Sequence, residues 1–284
     1  MSAQAPLSGY TYTYFNVYNP TDGVAHVEIN RPKKLNAFSE PVWLEFGRIF
    51  TRLSEDENVR AVVLSGSGDR AFTAGLDVQA SSEGSQLFTE GPDAARKAKG
   101  LRSHIEEFQG CIGAVEKCEK PVIVVLHGIA LGLAIDIACC ADIRIAASNT
   151  RFAVKEVDIG IPADIGTLTR LPKIVGNHSW VKEVCLTARD FSAAEAKEVG
   201  FVGSVRESKA AALQAALDMA GLLASKSPVA VQGTKELLNH GRDHATVESL
   251  RYTAVWNSVA VQSEDFKKGI VSGLKKTKPT FAKL

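Results

Sequence analysis

The run Pro121-Val-Ile-Val-Val-Leu126 limits what this chain can become more than any other stretch. An unbroken apolar segment behind a proline reads as a strand buried on both faces, and such a strand needs a covering layer on each side. His127-Gly128 and Gly132-Leu133-Ala134 follow it. Glycine and alanine let a ligand approach the backbone closely. Residues 133–140 predict a helix whose first turn offers N–H groups without intrahelical partners. Asp142-Ile-Arg-Ile-Ala146 predicts the next strand. Three carboxylates here have mostly apolar neighbours: Asp136, Glu156 and Asp164. A buried carboxylate is costly unless it is paired or functional, so three of them after a Gly-containing turn mark a candidate site.

The pattern extends in both directions. Residues 24–29 alternate, with Ala25, Val27 and Ile29 on one side and His26 and Glu28 on a wetter one. Ser39 is placed to cap a helix carrying Pro41 in its first turn, along which Val42, Trp43, Phe46, Phe50 and Leu53 recur. Residues 61–65 read as a short buried strand, 81–92 as a polar loop, and 93–118 as a helix that Gly110 and Gly113 bend or loosen. Ser192-Ala-Ala-Glu195 is a capping box, with Gly200 past that helix's end. Strand and helix recur through Val205, which argues for an α/β arrangement. Beyond it only helices are legible, over 208–225, 228–239, 246–262 and 264–274, with Ser227 and Ser263 as N-caps. The expected organisation is an α/β core over 15–205 and a helical region over 206–284 that covers the core or packs on another subunit.

A formal net charge of +1 gives no support to nucleic-acid or membrane-surface binding. No apolar run approaches the ~18–20 residues of a membrane span. The five cysteines, Cys111, Cys118, Cys139, Cys140 and Cys185, form no CxxC pair and suit buried packing in a reducing compartment rather than a metal site or disulfide. His127 reads as a packed, hydrogen-bonded residue. Residues 1–14 lack the basic flank and apolar stretch of a targeting peptide. At the other end, Ala282-Lys283-Leu284 is a close variant of the Ser-Lys-Leu peroxisomal address, so a peroxisomal location and an import receptor are expected.

Arg31-Pro-Lys-Lys-Leu-Asn-Ala37, Ala71-Phe-Thr-Ala-Gly-Leu-Asp77 and the segment from His127-Gly128 onward resemble recurrent segments of the crotonase, or enoyl-CoA hydratase/isomerase, superfamily. Val154-Lys-Glu156-Val-Asp-Ile-Gly160, Ala163-Asp164-Ile-Gly-Thr-Leu168 and Ser225-Lys-Ser-Pro-Val-Ala-Val-Gln-Gly-Thr-Lys235 are most similar to its Δ3,5-Δ2,4-dienoyl-CoA isomerase branch. The resemblance implies an α/β spiral of ββα units, C-terminal helices that build a homotrimer or homohexamer, and a role in fatty acid β-oxidation. It implies an acyl-CoA substrate and no cofactor beyond the coenzyme A that this substrate carries. It further implies a substrate-binding loop of Ala74, Gly75, Leu76, Asp77 and Val78, with the thioester carbonyl polarised by the N–H groups of Leu76 and Leu133. Where the family usually has three glycines, this chain has Gly132-Leu133-Ala134, and leucine excludes the positive φ that glycine permits.

The expected chemistry is isomerisation of a 3,5-dienoyl-CoA to the 2,4-dienoyl-CoA. Removing a C2 proton gives an enolate conjugated through to C6. That requires donors aimed at the oxyanion, a base at C2 and an acid at C6. Glu156 fits the base and Asp164 the acid, roles that exchange with direction, and Asp136 is a third member that orients or tunes them. Asp158 shares a face with Glu156 if the segment is a strand, and reads otherwise as a salt-bridge partner. Asp77 reads as holding the loop rather than reacting, and Lys33 and Lys34 as a solvated turn. A hydratase needs two acids around one water, and in that branch of the family the position of Asp164 is small and apolar. A Δ3-Δ2-enoyl-CoA isomerase needs one carboxylate. A non-catalytic RNA-binding protein of this fold needs a basic surface, which the near-neutral charge does not supply.

Overall fold

The computed structural model describes residues 5–77 and 93–284, so Val78 and the loop expected over 81–92 lie outside the described residues. The chain winds through two sheets. In the larger, β1 (Ala5–Pro6), β2 (Phe15–Thr21) and β3 (Val24–Ile29) pair antiparallel. From β3 the pairing turns parallel through β4 (Ala61–Gly66), β6 (Val122–Leu126), β8 (Ile143–Ala147) and β11 (Ser204–Arg206). The smaller sheet holds β5 (Ala71–Thr73), β7 (Ile129–Leu131), β9 (Arg151–Ala153) and β10 (Phe191–Ser192). In the first turn of the spiral β2 and β3 both lie in the large sheet; the turns that follow, β4–β5, β6–β7 and β8–β9, each lay one strand in the large sheet and one in the small sheet, and helices close the turns. The closing helices include α1 (Glu40–Glu55), α2 (Ala94–Lys117) and α3 (Leu133–Cys140). This is the ββα spiral that the resemblance implied.

Period-2 alternation explains why the central strands are apolar throughout. Val62, Leu64, Val122, Val124 and Leu126 face the main core with Phe46, Phe50 and Ile112. Ala61, Val63, Ile123, Val125 and Ile145 face the opposite way, onto α7 (Lys209–Ala224). The alanines of α7, Ala212, Ala216, Ala220 and Ala224, leave room for the strands' β-branched side chains. Each such side chain, fully buried, contributes roughly 1.5–3 kcal/mol. His26 corrects the expected wetter face of β3. It is 2% exposed under α7, bonded through Nε2 to Ser65 Oγ at 2.8 Å, and burial pushes its pKa down to about 4.

The remaining helices are α4 (Thr167–Ile174), α5 (His178–Thr187), α6 (Ala193–Glu198), α8 (Pro228–Asp243), α9 (Thr246–Ala260) and α10 (Glu264–Lys275). Ser227 and Ser263 cap α8 and α10 through their side chains, whereas Ser39 holds the N-cap position of α1 without a side-chain bond. α2 runs on through Gly110 and Gly113. Lys235 anchors α8 to the core, donating to Asp142 Oδ2 at 2.8 Å and to the Lys120 carbonyl at 3.1 Å.

Candidate active site

Two backbone segments frame the site. Residues 74–77 are zipped to residues 35–38: Ala74 N donates to Leu35 O at 3.0 Å, Phe38 N to Gly75 O at 2.9 Å, and Asp77 N to Phe38 O at 2.7 Å. Arg31 fastens this loop by pairing with the buried Asp77 carboxylate at 3.2 Å and donating to the Ala37 carbonyl. Asn36 lies beneath it, donating to the carbonyls of Ser67 and Ala71 at 2.9 Å each. Asp77 therefore holds the loop, and Lys33 and Lys34 are exposed. The loop packs on the start of α3. A side chain added at Gly75, whose φ is +97°, would meet Leu131 O at 3.0 Å and Leu133 N at 3.7 Å. Among the described residues, neither Leu76 N–H nor Leu133 N–H has a hydrogen-bond acceptor.

The leucine at position 133 is accommodated because the positive φ falls on Gly132, at +53°, while Leu133 is the first helical residue and packs 5% exposed into the core. Gly132 also makes room for Glu156: a side chain there would meet Glu156 Oε1 at 3.3 Å. Glu156 opens a short 3₁₀ turn (Glu156–Ile159), so Asp158 does not share its face as a strand would require; Asp158 bonds Lys155 at 3.3 Å on the surface.

All three carboxyls are pushed toward their neutral forms. Asp136 is 1% exposed, and burial raises its pKa to about 7, with the negative charges of Glu156 and Asp164 adding to the rise. Thr167 works against that, donating from both N and Oγ1 to Asp136 Oδ1 at 2.7 Å. Burial raises Glu156, as does Asp164, while backbone N–H groups oppose the rise. Glu156 Oε2 is buried and has no hydrogen-bond partner among the described residues. Burial raises Asp164 as well, moderated by its own backbone and by His104 on α2. Gln109, also on α2, holds the Asp164 carbonyl at 2.5 Å.

The sign of Asp136's shift gives a prediction. Its folded pKa is raised, so its contribution to stability is full below about pH 4 and lost as pH rises to about 7. Asp136→Asn keeps the acceptor for Thr167 and removes the ionisation. It should raise thermal stability above pH 7, by at most ~4 kcal/mol, with no comparable gain near pH 4. Melting curves of both proteins across pH 4–8 check this, and an equal effect at both ends would contradict it.

A comparison of the sequence with protein families matches enoyl-CoA hydratase/isomerase over residues 19–283. The chain belongs to this family. Its relatives include the mitochondrial Δ3,5-Δ2,4-dienoyl-CoA isomerase of Mus musculus, 43% identical over 100% of this chain and 88% of that protein. The peroxisomal Δ3,5-Δ2,4-dienoyl-CoA isomerase of Arabidopsis thaliana is 39% identical over 94% of this chain and 95% of that protein. Among solved structures, an enoyl-CoA hydratase from Bacillus anthracis superposes with a TM-score of 0.85 at 27% identity, covering 95% of this chain and 99% of that one.

In this member of the enoyl-CoA hydratase/isomerase family the fold brings Asp136, Glu156 and Asp164 together beside the start of α3, with Ala74, Gly75 and Leu76 on the facing loop. Val78 lies outside the described residues. Sequence reasoning missed Thr167 as the partner of Asp136, Gln109 as the clamp on Asp164, and Arg31 as the partner of Asp77. Thr167 alone left a signal, as a hydroxyl residue after Gly166 at a helix start.

Proposed function

We propose that this protein isomerises 3,5-dienoyl-CoA to 2,4-dienoyl-CoA. The observation that carries the reading is the grouping of three carboxyls, Asp136 buried and Glu156 and Asp164 half-buried, each shifted toward its acid form, beside two backbone N–H donors without acceptors among the described residues. Leu76 N–H and Leu133 N–H bind the thioester oxygen and stabilise the enolate, each such donor being worth roughly 10²–10³ in rate. Glu156, with a buried and unpartnered Oε2, takes the proton from C2. Negative charge then delocalises to C6, where Asp164 delivers its proton. Hydration of an enoyl-CoA uses two acids on one water and leaves Asp164 without a role. The likeness to the mouse and Arabidopsis isomerases supports the same reading. Ultraviolet absorbance of the purified protein with a 3,5-dienoyl-CoA tests it: conjugating the diene with the thioester creates a new chromophore, and no gain would refute the assignment.

The protein's place in the cell and its assembly belong to the same proposal. Ala282, Lys283 and Leu284 lie at the surface, as a receptor-read address requires. Deleting these three residues should leave a tagged protein outside peroxisomes; continued import would show that another segment directs it. In the C-terminal helical region, α7 is committed to the sheet, while α9 and α10 leave Leu250, Val255, Val259 and Ile270 exposed. A cavity of about 410 Å³ between α8, α9 and α10, lined by Gly233, Trp256 and Phe266, shares no residue with the carboxylate site. These apolar faces fit subunit contacts in a homotrimer or homohexamer. Sedimentation should give three or six chains, and a monomer at micromolar concentration would contradict it.

A further inference from the structure

Residues 164–170 carry two parts of the site: the Asp164 carboxyl and the Thr167 donors that bind Asp136. Both ends of this segment are tied to α2. At the first, Gln109 donates to the Asp164 carbonyl at 2.5 Å. At the second, Arg170 meets Glu116: Nε donates to Oε2 at 3.0 Å, and Nη2 lies 2.9 Å from the same oxygen. Gln109 and Glu116 are seven residues apart on α2, which puts them on one face, about 10 Å apart along the axis.

Glu116 is itself braced. Arg242 of α8 donates to its other oxygen, Oε1, so the carboxylate is held between two guanidinium groups. All three side chains are half-buried, where charge-assisted bonds are screened less than at the surface. The end of α8 also reaches α4 directly, through the pair of Asp243 with Lys173. The remaining nitrogen of Arg170, Nη1, lies against Gly166. A side chain at 166 would collide with it, and Gly166 has a φ of +147° that other residues rarely adopt. One guanidinium thus anchors to α2 through two nitrogens and packs with the third on the backbone two residues beyond Asp164. The planar fork of arginine can do both at once, whereas an ammonium has a single nitrogen.

Resting on the isomerase reading, we propose that Arg170, anchored by Glu116 and Arg242, is a positioning residue for the acid at C6. It acts through the backbone of residues 164–166. Glu156 stands on another segment, the 3₁₀ turn that it opens, and the two oxyanion donors stand at the start of α3 and on the loop over 74–77. Arg170 therefore bears on proton delivery at C6 and leaves abstraction at C2 alone.

The two halves of the reaction separate this role from general support of the fold. Arg170→Met keeps an apolar stem and removes the guanidinium. On folded protein, kcat for the conjugated product should fall by roughly 10–10²-fold with KM little altered, the cost of a group misplaced rather than lost. Deuterium uptake at C2, followed in the same reaction in deuterated water, should stay within about twofold of the wild type. Arg170→Lys keeps a cation beside Glu116 but lacks the fork. It should fold as the wild type does and show the same split, with isomerisation down by roughly tenfold. Where Arg170→Met does not fold, Arg170→Lys decides. Equal losses of exchange and isomerisation would mean that Arg170 supports the site as a whole, and wild-type isomerisation in the variants would mean that Asp164 is placed without it. Either result overturns the proposal while leaving the isomerase intact. Absence of any absorbance gain in the wild type would instead remove the isomerase reading itself.

Discussion

Glu156→Gln is expected to lose isomerisation by roughly 10²–10⁴, the contribution of a positioned general base. The amide keeps the size and polarity of the side chain but cannot accept a proton from C2. Because Oε2 has no hydrogen-bond partner among the described residues, the substitution breaks no contact seen there, and the fold should be retained. Substrate affinity should change little, since in the proposed reaction Leu76 and Leu133, not Glu156, hold the thioester. Exchange of the C2 protons with solvent should disappear together with isomerisation, because both begin with the same abstraction. Stopped-flow absorbance and deuterium uptake measured on one preparation read both losses. A variant that isomerises slowly yet exchanges C2 at the wild-type rate would transfer the role of base to another group.

Asp164→Asn is expected to cost a similar factor for a different reason. Burial favours the acid form of Asp164, which suits a donor at C6, and asparagine has no carboxyl proton to give. Gln109 contacts the backbone carbonyl of residue 164, so its clamp survives the substitution. The loss should appear in kcat with KM little altered, as expected when an interaction made only in the transition state is removed.

How much of this was legible in the sequence depended on the length of each element. β6 and α3 were readable because an unbroken apolar run and a helix of buried residues each leave a continuous pattern. β5, β7 and β9 were not. Each is three residues long, too short for a period, and they exist because neighbouring turns of the spiral pair with one another. His26 misled for a related reason. A polar residue on alternate positions suggests solvent, but α7, nearly two hundred residues later, covers that face. The three carboxyls could be named from their apolar neighbours, whereas their contacts could not. Thr167 reaches Asp136 across 31 positions and Gln109 reaches Asp164 across 55, separations at which local pattern carries no information. The resemblance to a known family supplied the pairing of the Leu76 loop with Leu133, and in the fold Gly75 of that loop packs against the start of α3.

The claim that one carboxyl serves C2 and another serves C6 is tested most directly by Asp164→Asn in deuterated water. Uptake of deuterium at C2 and formation of the conjugated product are followed in the same reaction. Glu156 and the oxyanion donors remain in this variant, so exchange at C2 should continue while isomerisation falls by roughly 10²–10⁴. Near-wild-type isomerisation by Asp164→Asn would contradict the two-carboxylate account and leave Asp164 a half-buried structural acid.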